Sequence, residues 1–295
     1  MGKKVKRAKM KRILFIILTV IIVVMYFPVT ARADSGPKAS LEIIVSNPPK
    51  GQYYLDLLVD YNGGTLYKNI RDESQYNADK IKILKEYRDG NWRPALLTGT
   101  RPPLRGGLIG TPEGDKVIHK FSYFGVPDRF KIIILTSDNK IIVSNEIYRK
   151  TFNSTVYYNF KTNSAKERPI ILSCLLQFLL TCSCTLVIEG IILLLFRFNI
   201  KQNWKPFLII NIITQIFLNF ILSVVMFSHG LIYAYTCYIP LELIILIAEV
   251  ICFRKYLHQH SKLRRTLFAI TANVVSFAAG FPIISTVYNI SLKLK

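Results

Sequence analysis

Hydrophobicity falls along this chain in three regimes. A basic start runs into an unbroken apolar stretch at 13–29, a mixed segment covers 34–168, and four apolar runs fill 169–196, 206–227, 231–253 and 266–290. Each of the last four reaches the roughly 20 residues that cross a hydrocarbon core about 30 Å thick. They predict a four-helix, all-α transmembrane bundle. The mixed segment alternates instead. Tyr53, Leu55, Leu57 and Val59 interleave with Tyr54, Asp56, Leu58 and Asp60, the period of a strand with one strongly apolar face, and Asn62, Gly63 and Gly64 close it. Residues 41–46 alternate likewise, 154–160 are β-rich, and 130–136 with 141–144 flank the polar turn 137–140 as a hairpin. Within 77–88, Ile81, Leu84 and Tyr87 recur every three residues and predict a short helix ending at Asp89 and Gly90. The expected fold is a sandwich-like, mainly β extracytoplasmic domain with one short helix, followed by the bundle. The Gly/Pro-rich stretch 98–113 reads as a long loop, either a binding surface or a connector.

The N-terminus reads as an export signal. Lys3, Lys4, Lys6, Arg7, Lys9, Lys11 and Arg12 precede the apolar run, and Ala31 and Ala33 supply small residues for cleavage before Asp34. An uncleaved anchor is the alternative, because 13–29 is long for a signal. Either reading leaves the start in the cytoplasm and sends the next domain outside. The predicted organisation is residues 1–33 as signal or anchor, 34–168 as the extracytoplasmic domain, 169–290 as the bundle and 291–295 as a tail.

The formal net charge of +21 raises the question of nucleic acid. Seven basic residues lie in 1–12, and others flank the apolar runs, so membrane topology accounts for the excess and no nucleic-acid partner is expected. Arg197, Lys201 and Lys205 follow the first C-terminal run, and Arg254, Lys255, Lys262, Arg264 and Arg265 follow the third. The link at 228–230 carries no Lys or Arg. Both basic loops therefore read as cytoplasmic, in agreement with the export signal. The predicted location is the cell membrane, multi-pass. All five cysteines, Cys174, Cys182, Cys184, Cys237 and Cys252, fall in the apolar half. The β segment must thus fold without a disulfide.

Polar residues inside the apolar runs are the sharpest functional clue. Glu189 lies in the first; Asn211, Gln215 and Asn219 in the second; Glu242 and Glu249 in the third; Asn273 and Ser276 in the fourth. Steps of four put the three amides on one helical face, and a step of seven does the same for the glutamates. A charge at a span centre costs about 2.5–3.5 kcal/mol on insertion scales, so the glutamates should be buried, paired or protonated. Such a cluster serves either as hydrogen-bonded glue between helices or as a site for an ion, a proton or a lipid headgroup. Ala272, Ser276 and Gly280 form the small-residue surface that goes with close packing.

Catalytic motifs do not emerge. Glu249 and Arg254 only faintly match the acidic motif of glutamate-type intramembrane proteases. His258 and His260 lack a third ligand, and His119 is the sole histidine of the β segment. No catalytic, cofactor or metal residues are predicted.

Several short runs carry a resemblance: 34–40, 53–58, 86–90, 130–135 and 143–148, then 214–219, Glu242, Glu249 and 272–277. In these the chain resembles a family of multi-pass membrane proteins from Gram-positive, largely clostridial, bacteria with an exported β domain. It departs from the family's pattern at 98–114, which lacks aromatic residues. The resemblance implies architecture and no activity. The function expected is non-enzymatic: the β domain binds a partner or envelope ligand, while the bundle anchors it in the lipid bilayer or joins other membrane proteins. The alternative is a small oligomeric transporter, or an ion- or proton-coupled protein, built on the Glu/Asn/Gln cluster.

Overall fold

Strands built on β-branched and aromatic residues occupy the first half of the chain, and long apolar helices the second. A computed structural model describes residues 36–61, 63 and 66–293. The expected signal or anchor lies outside the described residues.

Two five-stranded sheets share one core. The first has the order β10 (Ser164–Glu167), β9 (Asn153–Asn159), β1 (Ser40–Ser46), β5 (Lys116–Ser122), β4 (Thr111–Glu113). The second has β3 (Trp92–Pro94), β2 (Tyr54–Asp60), β6 (Arg129–Leu135), β7 (Ile141–Val143), with β8 (Ile147–Tyr148) also on β6. The β6–β7 hairpin forms as its alternation predicts, with Leu135 opposite Ile141. All pairs are antiparallel except β1 with β9, where Ile43 faces Val156 in a parallel register. Leu41, Ile43, Val45, Leu55, Leu57, Phe130 and Ile132 to Leu135 are essentially inaccessible. Full burial of one such side chain contributes about 1.5–3 kcal/mol.

One expectation needs correcting. β2 does not have a single apolar face, because Tyr54, Asp56 and Leu58 on its other side are buried as well. That second face is covered by α1 (Ala78–Glu86), the single turn α2 (Ala95–Thr98) and the loop behind them. Asn77 caps α1 by accepting from Lys80 N at 3.1 Å, and Ile81 and Leu84 turn inward. Asp56 plays the corresponding part for α2, accepting from Leu96 N at 2.9 Å and Leu97 N at 3.3 Å.

The 98–113 stretch is not a loose connector. Leu104 and Leu108 are buried, and Leu108 O accepts from Leu55 N at 2.9 Å. Asn69 donates to Ala95 O and accepts from Leu104 N, both at 2.9 Å, and so staples the loop at its base. Gly99 has φ +102°, and a Cβ there would come within 2.5 Å of Tyr67 O. Only glycine allows the Tyr67–Thr100 bridge that starts the loop.

Four helices complete the chain: α3 (Ile171–Leu195), α4 (Ile200–His229), α5 (Leu231–Tyr256) and α6 (Lys262–Lys293). By length and composition α3, α4 and α5 suit membrane crossing, which makes this a multi-pass membrane protein. Their outer faces leave Ile171, Leu195 and Phe220 exposed, the arrangement expected where lipid is the solvent. α6 forms where the fourth span is expected but is not among those three; it begins with Lys262, Arg264 and Arg265 and is the least apolar of the four. α4 begins at Ile200 rather than at 206, because Asn199 caps it by accepting from Lys201 N at 3.0 Å and the helix then runs through Pro206. At the turn between α4 and α5 the β domain meets the helices. Phe152 N donates to Phe227 O at 2.6 Å, and the Phe152 ring lies against Gly230.

Candidate functional site

Two places in the molecule gather chemistry. The first is a polar network among the helices. Glu189, Asn211, Gln215, Asn219, Glu249 and Asn273 are all buried, while Glu242 and Ser276 are half-buried. Steps of four on α4 do place the three amides on one inward face. Glu249 Oε1 accepts from Thr214 Oγ1 at 2.6 Å and its Oε2 from Asn273 Nδ2 at 2.7 Å, joining α4, α5 and α6. Glu189 Oε1 accepts from Ser276 Oγ at 3.0 Å, joining α3 to α6. Asn219 accepts from Thr181 Oγ1 at 2.9 Å and donates to Gln215 O at 2.9 Å, joining α3 to α4.

Glu242 stands a little apart. It lies beside Tyr238 and lines a cavity of about 20 Å³ with Gln215, Asn219 and Ser276. Tyr238 OH donates to Phe277 O at 3.2 Å, and a Cβ at Gly280 would collide with that hydroxyl, so the small residue is needed for this approach. Sequence reasoning missed Thr181, Thr214, Tyr238 and the buried Gln177. Thr214 stands three residues after Asn211 and four after Ile210, on the face that carries the amides. Hydroxyls in apolar spans are common enough that this spacing alone did not single it out.

The second place is a groove of about 670 Å³ on the β domain, between the stapled loop and the segment that leads into α1. Its walls carry Lys68, Arg71 and Arg105 with Tyr67, Tyr76 and Tyr123, against one acid, Asp72. Arg105 lies 4.1 Å and Lys38 4.5 Å from the Tyr123 ring centre. Tyr67 is 59% exposed, so an aromatic face is open to a ligand. A smaller groove of about 350 Å³, with Arg101, Pro102 and Phe124, flanks the same loop.

The histidines do not assemble. His119 is buried against Tyr53, its Nε2 lying 3.1 Å from the hydroxyl, and burial pulls it down to about 4. His229, His258 and His260 are exposed. Among the described residues no group of three His, Cys, Asp or Glu is placed to hold a metal ion. The five cysteines are free thiols, with Cys182 buried and the others partly so. No protein family, curated protein or solved structure matches this chain.

Proposed function

We propose that this chain is a multi-pass envelope protein with four spans, whose β domain lies outside the cell membrane and holds an anionic envelope ligand or partner in the groove beside the stapled loop. It performs no catalytic step of its own. The groove is the observation that carries this reading. Three cations and three tyrosines line it, and the loop that forms it is fixed by Asn69, Gly99 and two buried leucines. Arginine guanidinium groups recognise phosphate and carboxylate through paired hydrogen bonds, and tyrosine faces take the apolar side of a sugar or alkyl unit.

Topology supports the same reading. The β domain meets the helices at Phe227 and Gly230, at the α4–α5 turn. The basic residues cluster around the α3–α4 and α5–α6 links, mostly in the flanking helix turns, at the other ends of α4 and α5. The positive-inside rule then puts the β domain outside. α6 packs Phe268, Ala269 and Ala272 into the helical core, which supports its crossing with the other three.

The test is a binding titration of the full chain in detergent with poly(glycerol phosphate), using neutral dextran as control. Binding that weakens with salt, and that falls about tenfold or more in the Arg71→Ala, Arg105→Ala double variant, is expected. Equal binding of both polymers, or none of the polyanion, would overturn the ligand assignment.

A further inference from the structure

A groove of about 600 Å³ runs along the seam of α3 and α4 and reaches the β domain at Lys150. Steps of four and three place Ile171, Leu175 and Phe178 of α3 on one wall, and steps of four place Ile216, Phe220 and Val224 of α4 on the other. All of these but Phe178 are exposed, as on a face whose solvent is lipid. The polar side chains of the lining pair across the seam. Asn219 accepts from Thr181 Oγ1 at 2.9 Å, and Cys174 is hydrogen-bonded to Ser223. What remains to be filled is apolar.

Length and charge narrow the occupant. Along α4 the groove extends from Ile216 to Ser228, about 18 Å at 1.5 Å per residue. Half of a hydrocarbon core about 30 Å thick is about 15 Å, so the groove covers one leaflet, the leaflet on the β-domain side. At the mouth stand the exposed Lys150 and Ser228. Arg168, two residues before the lining residue Ile170, brings a second positive charge to the start of α3. The acid beside them, Glu167, is held in place by Lys150 N at 2.9 Å and Ser154 Oγ at 2.7 Å, and among the described residues the Lys150 ammonium enters no ion pair. An apolar slot one leaflet long with cations at its rim is complementary to a chain of hydrocarbon that ends in an anion. A helix of another protein fits less well, since helices pack in membranes through small residues and neither glycine nor alanine lines this face.

We propose that the α3–α4 groove holds one acyl chain of an anionic bilayer lipid, with the lipid phosphate at Lys150 and Ser228. The site is separate from the β-domain groove and does not rest on the ligand assigned there. Its place gives it a task. Phe227 lines the groove, and its carbonyl accepts from Phe152 N at 2.6 Å, two residues from Lys150. A lipid seated here touches the β domain and the helices at the point where they join, and so braces that junction.

Thermal melting of the full chain in neutral detergent, with added phosphatidylglycerol or phosphatidylcholine of the same acyl chains, tests this. Phosphatidylglycerol is expected to raise the melting temperature at lower concentration than phosphatidylcholine. Lys150→Ala should weaken the phosphatidylglycerol effect roughly tenfold, the loss of one charge-assisted bond, and leave phosphatidylcholine unchanged. Val224→Trp, which fills the groove, should weaken both lipids; where it fails to fold, Leu175→Trp on the facing helix replaces it. Equal stabilisation of the wild type by the two lipids overturns the proposal, as does a phosphatidylglycerol effect that survives Lys150→Ala or the groove-filling variant. Stabilisation by water-soluble glycerol 3-phosphate equal to that by the lipid overturns it too, because the acyl chain then adds nothing. A lipid-free dimer that the tryptophan splits assigns the groove to a second copy of the chain and overturns it equally.

Discussion

Asp56 and His119 show how burial turns two ordinary side chains into opposed pH sensors. Asp56 is wholly buried, and burial pushes it up to about 7 although three backbone N–H groups, those of Leu57, Leu96 and Leu97, favour its charge. Since its folded value exceeds the unfolded one, its contribution to stability is full below about pH 4 and lost as pH rises to about 7. His119 runs the other way: held down to about 4, it contributes fully above about pH 6.5 and loses that contribution as pH falls towards 4. Between about 4 and 6.5 the slopes oppose, each at most about 1.4 kcal/mol per pH unit. Single substitutions should unmask them. Asp56→Asn is expected to leave a β domain whose stability climbs from pH 4 to 6.5, and His119→Gln one whose stability falls from 4 to 7, read from urea unfolding followed by Trp92 emission. Two profiles parallel to the wild type would mean that neither group titrates as its burial requires. The sequence placed Asp56 on the polar face of its strand, because a period of two assigns faces by polarity alone. It had no way to know that α2 needs a buried acceptor oxygen at its start.

At the scale of elements, helices and the hairpin were legible because their signals are local. Asn77 before Ile81 and Leu84 specifies α1, and Ser137 to Lys140 between two apolar runs specifies the β6–β7 turn. Pairings that depend on distant partners were not legible. The polar edge strand β10, Ser164–Glu167, and the parallel register of β1 on β9 are set by the other strands rather than by their own pattern. The polar faces of the spans were legible for the same local reason, since an amide or carboxyl stands out in an apolar helix. What stayed hidden was which residues meet: Glu249 takes Thr214 and Asn273, and Asn219 takes Thr181. These bonds give a graded prediction. Glu249→Gln keeps shape and hydrogen bonding and should change stability by less than about 1 kcal/mol; Glu249→Leu loses two interhelical bonds, each worth about 0.6–1.7 kcal/mol in a membrane, and should lower the melting temperature in detergent measurably. Equal melting of the two variants would show that Glu249 does not join the helices.

At the scale of the whole molecule, the proposed orientation rests on two features that agree. Charge is one: Arg197 in the α3–α4 link with Lys201 and Lys205 in the first turns of α4, and Arg254 and Lys255 at the end of α5 with Lys262, Arg264 and Arg265 at the start of α6, while the turn at Gly230 between them has no Lys or Arg. Shape is the other, because the β domain is tied to that uncharged turn through Phe152 and Phe227. The β domain and the basic helix ends thus lie at opposite ends of α4 and α5, which by the positive-inside rule supports the proposed insertion with the β domain outside. The β-domain groove, by contrast, was only hinted at by a Gly/Pro-rich stretch, since its cations at Lys68, Arg71 and Arg105 come together only when Asn69 and Gly99 fold the loop back. The orientation is tested directly by single reporter cysteines in a chain whose five native cysteines are replaced. Lys140, Ser228, Gln202 and Ser261 are all exposed, so access depends on the side of the membrane and not on burial. In intact cells an impermeant thiol reagent should label cysteine at 140 and at 228, and should reach 202 and 261 only after the membrane is opened. Labelling at 202 in intact cells would invert the protein, moving the groove to the cytoplasm and removing its access to any envelope ligand.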